Sequence, residues 1–211
     1  MRKDKYKPQI NSKDEKAYCK AMQAGMSKGE HKMFFESNLQ EFEQYKKFMD
    51  ENLVEADTSA MDTIYKVKLT YQLKKNVWRE YEVYGYETLS ELAEDLIDSM
   101  GWMNDHLHSW WFKGKEGKEM RHWYNMYEIG CEYSEDESYP AIHDDKVCIA
   151  NINFDINKKL GFAFDFGDDH RFLLELISKR KEEKSDHMRA FPLLVDQRGV
   201  GPEQYPPLEE C

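Results

Sequence analysis

Nowhere does the sequence gather the roughly 20 consecutive apolar residues that a membrane-spanning helix needs, so such a helix is not expected. The opening stretch MRKDKYKPQINSKDEK has no apolar segment either, and no secretory signal is expected there. Cysteine is scarce: Cys19, Cys131, Cys148 and Cys211 lie far apart and form no CxxC pair. That spacing argues against a structural zinc site and favours free thiols in the cytoplasm over a disulfide framework. Cys148 sits in the apolar run VCIAN, which suits a buried, inert thiol better than a nucleophile. A phosphate-binding P-loop, GxGxxG, GxSxG and HExxH are all missing, so these motifs offer no recognised catalytic set. Positive charge is also in deficit, with 30 Lys and Arg against 41 Asp and Glu, a net −11. Such a field repels polyanions, and nucleic acid is not the expected partner. The deficit is uneven: residues 1–20 carry +4 and the remainder −15. A basic arm on an acidic body could touch phosphate, but a solvated tail is the plainer reading.

What is present is a core. Hydrophobic residues make up 40% of the 211, and 5 Trp, 13 Tyr and 11 Phe supply large apolar area. Ser12 to Glu15 reads as a capping box ahead of a helix reaching about Gly25. A second helix from near Ser37 aligns Leu39, Phe42, Tyr45, Met49 and Leu53 on one face. Residues 54–62 read as a linker. The period then changes to two: Tyr65, Val67, Leu69, Tyr71 and Leu73 alternate with polar residues, and NVWREYEVYGY completes a hairpin over 64–84. Thr88 and Glu91 form a second capping box. Leu89, Leu92, Ala93, Leu96, Ile97 and Met100 follow at helical spacing, with Gly101 as the stop. A strand is expected over 105–112, a loop over 113–118 and an acidic loop over 132–145; 119–129 fits helix and strand equally. LGFAFDF and HRFLLELIS read as a second hairpin closed at Gly167-Asp168. The Gly- and Pro-rich end, GVGPEQYPPLEEC, suits no regular element.

These elements predict an α+β fold: a mostly antiparallel or mixed sheet packed on the helix at 88–100, with a β-grasp-like start. The expected division is a helical N-terminal extension, 1–62, and an α+β domain, 63–211.

The segment FDFGDDHRF places Asp165, Asp168, Asp169 and His170 within six positions. Aspartates favour turns because their side chains bond nearby backbone N–H groups, and Gly167 is expected at positive φ as the structural turn residue. In a second reading, the acids meet His106 and His108. An HxH pair on a strand points both rings to one face. His106, His108, Asp165 and Asp168 would then hold a divalent metal and activate water for hydrolysis. No cofactor is required by the sequence, and a divalent metal enters only through that reading. Trp110, Trp111, Asp169 and His170 could line another pocket, with Trp123, Tyr124 and Tyr127 adding aromatic surface. His143-Asp144-Asp145 forms a further small cluster, more in keeping with a capped turn.

Several stretches also share one order and spacing: Val77-Trp78-Arg79, Thr88-Leu89, Met100-Gly101-Trp102, His106-Leu107-His108, Phe164-Asp165-Phe166-Gly167-Asp168 and GVGPEQYP over 199–206. Together they resemble the plasmid pRiA4b ORF-3-like family across about residues 64–206. The chain departs from the family pattern after the FGD turn, where Asp169, His170, Arg171 and Phe172 replace the usual Trp and His spacing. It departs again at PEQYPP, where many members carry a Cys-containing motif. The resemblance implies the fold and the domain boundary, an uncharacterised function, and an association with mobile elements. The expected function is a non-catalytic binding or adaptor module whose partner is a protein or small molecule. The metal-dependent hydrolase and a mobile-element accessory with weak DNA contact are the alternatives.

Overall fold

The change of period near residue 63 is where the main sheet begins. A computed structural model describes residues 5–29, 31–112, 127–131 and 139–205. The expected loop at 113–118, residues 119–126 of the ambiguous segment with Trp123 and Tyr124, residues 132–138 of the acidic one, and Cys211 lie outside the described residues. Ahead of the sheet come β1 (Lys5–Tyr6), α1 (Ser12–Ser27), α2 (Lys32–Asn52), β2 (Ala56–Asp57) and α3 (Thr58–Met61). The first helix is capped by Asn11, whose side chain accepts from the Lys13 N–H, one residue before the expected cap. The segment read as a linker holds β2, which pairs antiparallel with β1. On α2, Phe42, Tyr45, Phe48 and Met49 are buried. Phe48 meets Phe112 and Tyr127 of the sheet with ring centroids 5.5 and 4.5 Å apart. The apolar stripe of α2 therefore joins the same core as the sheet.

Seven strands follow: β3 (Thr63–Tyr71), β4 (Trp78–Tyr84), β5 (His108–Phe112), β6 (Tyr127–Gly130), β7 (Lys159–Phe164), β8 (His170–Lys181) and β9 (Leu193–Arg198), with α4 (Leu89–Ser99) between β4 and β5. They form one sheet in the order β6-β5-β7-β8-β3-β4-β9, and every pairing is antiparallel. The hairpin, helix and strand appear in the expected opening order, and β5 is carried across the sheet to pair with β7. Strand β9 was not legible, because its residues are largely exposed and show no one-sided apolar face.

The helix α4 carries both halves of the expected capping box: the Thr88 hydroxyl accepts from the Glu91 N–H and the Glu91 carboxylate from the Thr88 N–H. Leu89, Leu92, Ala93, Leu96 and Ile97 are fully buried. Burial of a Leu or Ile side chain is worth roughly 1.5–3 kcal/mol, so this stripe is what fixes α4 on the sheet. Gly101, at φ 78, ends the helix in the left-handed region.

Two measurements check this core. Leu96→Ala should cost about 2–5 kcal/mol in chemical denaturation; a loss below about 0.5 kcal/mol would put that face in solvent. Glu87, buried where β4 turns into α4, has its carboxyl pushed up to about 8 by burial, which outweighs the hydrogen bond from the Tyr84 N–H and is reinforced by Glu91. The native state therefore keeps a proton that the unfolded chain has released, and this contribution to stability is lost as pH rises from about 4.5 to about 8. Glu87→Gln keeps an acceptor for Tyr84 and should flatten the fall of Tm across that window.

Candidate functional site

The turn after β7 is built by aspartates rather than by its glycine. Asp165 and Asp169 take φ 54 and 57, whereas Gly167 is not among the residues at positive φ. This corrects the expectation for Gly167. Aspartate tolerates the left-handed region because its short carboxylate bonds locally. Asp165 Oδ1 accepts from the Gly167 and Asp168 N–H groups at 2.9 and 3.3 Å. Asp168 is exposed, and Asp169 pairs with Arg171.

The three histidines of this region go to three different places. Strand β5 starts only at His108, so His106 precedes it on the surface, with its Nε2 3.4 Å from Asp165 Oδ2. His108 is buried, and its Nε2–H donates to Asp144 Oδ2 at 2.7 Å. His170 lies inside, stacked on Trp102 at 4.2 Å; its Nε2–H donates to the Gln204 carbonyl at 2.9 Å, with the Tyr71 hydroxyl 3.2 Å from Nδ1. The expected HxH ligand pair is thus divided between two carboxylates, Asp165 and Asp144. Among the described residues, no group of three His, Cys, Asp or Glu side chains could hold a metal ion. Trp110 is fully buried against Phe162, and Trp111, the next residue on the strand, points to the other face. The two tryptophans therefore cannot line one pocket with Asp169 and His170. The pairing of His108 with Asp144, across 36 residues, had no signal in the sequence beyond the presence of the small His143-Asp144-Asp145 cluster.

Beside this pair opens a cleft of about 490 Å³. Its walls are Ser90 and Glu94 of α4, residues 104–108, Cys131 and Asp145. Glu94, Asp105 and Asp145 line it, and no Lys or Arg does among the described residues, although Lys146 pairs with Asp145 from beside it. The sequence has no Lys or Arg anywhere from 80 to 112. Along α4, burial and then the neighbouring Asp98, Glu94 and Glu91 raise the carboxyl of Asp95. At the rim, the Tyr205 hydroxyl donates to Asp105 Oδ2 at 2.7 Å, holding that carboxyl below its usual range and pushing the phenol up to about 12. Among the described residues, Asp144 Oδ1 is buried without a hydrogen-bond partner.

The C-terminal segment holds that rim. Arg79, 2% exposed, donates to the carbonyls of Trp78, Ser99, Arg198 and Gly199. The Trp102 indole N–H donates to the Pro202 carbonyl at 2.8 Å. The Gln204 side chain accepts from the Met103 N–H and donates to the Met103 carbonyl and Asp105 Oδ1. Gly199 sits at φ 75, with room for a Cβ only 2.9 Å from the Asn76 carbonyl oxygen. Arg79 and Gln204 are therefore residues that place the site, and only the family-like spacing around them pointed to either.

The family model described as plasmid pRiA4b ORF-3-like protein matches residues 62–205. Among solved structures, the chain is similar to a protein of unknown function, MM3350, from Methanosarcina mazei Go1. The identity is 21%, the TM-score 0.52, and the match covers 64% of this chain and 69% of that one. That likeness shows the fold alone. No protein of curated function matches the chain.

The backbone angles separate two glycines that look alike in sequence. Gly199→Ala should destabilise by more than about 1 kcal/mol, since it meets both a left-handed backbone and a main-chain oxygen. Gly167→Ala should cost less, because its Cβ meets only the Asp165 carboxylate, at 3.2 Å. Urea denaturation of the two variants checks the order; the reverse order would restore Gly167 as the structural residue.

Proposed function

The chain belongs to the plasmid pRiA4b ORF-3-like family, and from that premise we propose that it is a non-catalytic, cytoplasmic binding module whose cleft takes a cationic group presented by a partner. The observation that carries this is the lining: three carboxylates, Glu94, Asp105 and Asp145, around one cleft whose described lining includes no Lys or Arg, with Lys146 paired to one of the three, Asp145. Glu94 and Asp105, which no Lys or Arg pairs with among the described residues, favour an ammonium or guanidinium. Each such contact near a protein surface gains up to about 4 kcal/mol of Coulomb energy at 4 Å, before desolvation. A guanidinium suits the site best, since its planar fork satisfies carboxylates two bonds at a time. The described free thiols of Cys19, Cys131 and Cys148 are in keeping with a reducing compartment. The hydrolase reading gains nothing from the geometry, because His106 and His108 serve separate carboxylates.

Calorimetric titration with a short arginine-rich peptide tests the proposal. Affinity should fall steeply with added salt. It should also fall about tenfold or more, or ~1.4 kcal/mol, in the triple variant Glu94→Gln, Asp105→Asn, Asp145→Asn. A control variant, Glu41→Gln, Asp155→Asn, Glu183→Gln, removes as much charge from exposed positions elsewhere. Equal losses in both variants would reduce the effect to net charge and overturn the reading.

A further inference from the structure

The turn that carries Asp144 and Asp145 is suspended between two parts of the chain. On one side the Leu89 N–H of α4 donates to the Val147 carbonyl at 2.9 Å. On the other side the contacts come from the N-terminal extension, which lies outside the family match. The Tyr45 hydroxyl accepts from the Ile142 N–H at 2.9 Å, and the Tyr6 hydroxyl donates to the Lys146 carbonyl at 2.6 Å. These two bonds bracket residues 142–146. The Asn151 side-chain amide adds bonds to the Tyr6 and Val54 carbonyls, and Tyr139 packs on Tyr45 at 5.0 Å. Behind Asp145 lies a second cavity of about 210 Å³, lined by Gln9 and Asn11 of the extension together with residues 141–143, Asp145 and Lys146. Asp145 is thus a wall shared by the cleft and by the seam with the extension.

We propose that the N-terminal extension is the positioning element of the cleft: Tyr6 and Tyr45 fix the 142–146 turn, and through it hold Asp144 against His108 and keep Asp145, with its partner Lys146, at the cleft wall. The part concerning Asp145 rests on the cation-binding reading. The part concerning Asp144 and His108 does not. Two tyrosine hydroxyls suit this task because a phenol satisfies a main-chain N–H or carbonyl while its ring is anchored in apolar packing. Without them, a buried N–H at Ile142 loses its partner and the Lys146 carbonyl loses its donor, so both ends of the turn loosen on the side of the extension. The extension is then neither a detachable tail nor a phosphate-binding arm. It shapes, from outside the family match, a cleft in this chain.

The test uses the full-length chain carrying Tyr6→Phe and Tyr45→Phe together. The first readout is solvent exchange of the His108 ring N–H, followed by NMR, which needs no ligand. Exchange should speed up by about tenfold or more as the turn opens locally. The second readout is affinity for the arginine-rich peptide, which should fall in parallel. Phe48→Leu, which loosens the extension at its contact with Phe112 and Tyr127, is the comparison at a matched loss of Tm, and it should leave the His108 exchange rate unchanged. Equal acceleration in both variants would mean that the tyrosines contribute stability alone, and unchanged exchange in the tyrosine variant would also overturn the proposal. Should the double variant fail to fold, Tyr6→Phe alone carries the same comparison, with the same two results deciding it. If the peptide does not bind the unaltered chain, the cation reading falls, and the His108 exchange rate still decides the positioning role.

Discussion

Arg79 lies buried where β4, the end of α4 and the segment after β9 meet, and its guanidinium donates five hydrogen bonds to main-chain carbonyls. Burial pulls its pKa below the usual arginine value, and among the described residues no carboxylate pairs with it. A buried charge of this kind is tolerated only if every donor finds a partner. Here the partners include the Ser99 carbonyl in the last turn of α4, where the helix dipole is negative. The consequences run outward from this point. With α4 ended at Ser99, Gly101 and Trp102 can turn toward the C-terminal segment, and Gln204 can grip Met103 and Asp105. The floor and rim of the cleft are therefore set by a residue that does not touch it.

The cleft gathers three carboxylates on a described lining without Lys or Arg, and Lys146 pairs with one of them, Asp145. Its carboxylates are held by different means: Glu94 by a helix locked through its buried stripe, Asp105 by Gln204 and Tyr205, and Asp145 by a turn tied to both α4 and the N-terminal extension. Three anchors of independent origin converge on one opening. That convergence is what supports the proposed reading of the cleft as a recognition surface.

Much of the fold was legible before the structure. The period of two through Tyr65, Val67, Leu69 and Tyr71, the capping box at Thr88 and the stripe through Leu96 are local signals that survive because burial of one face enforces them, whereas Leu73, expected on the same face, lies past the end of β3 and is 77% exposed. The site was less legible. Asp165, Asp168 and Gly167 were recognised as a turn, yet the left-handed positions fell to Asp165 and Asp169, because a side-chain carboxylate can support such a position as well as a missing Cβ can. His106 does reach Asp165. His108 does not join them, because β5 begins at His108 and its ring enters the core toward Asp144. Such a pairing depends on how a distant turn is carried to the sheet, and periodicity holds no information about that. The basic residues near the start suggest an arm, whereas of the tyrosines that tie the extension down Tyr45 reads only as part of an apolar helix face and Tyr6 carries no pattern at all.

The central claim is that a cation enters between α4 and the 104–108 segment. It is tested most directly by titrating the isotopically labelled chain with N-acetyl-arginine amide and following backbone N–H shifts by NMR. Saturable shifts confined to residues 90–94, 104–108 and Asp145 are predicted. Shifts scattered over other exposed acids, such as Glu41, Asp155 and Glu183, or no saturable shift at all, would contradict it.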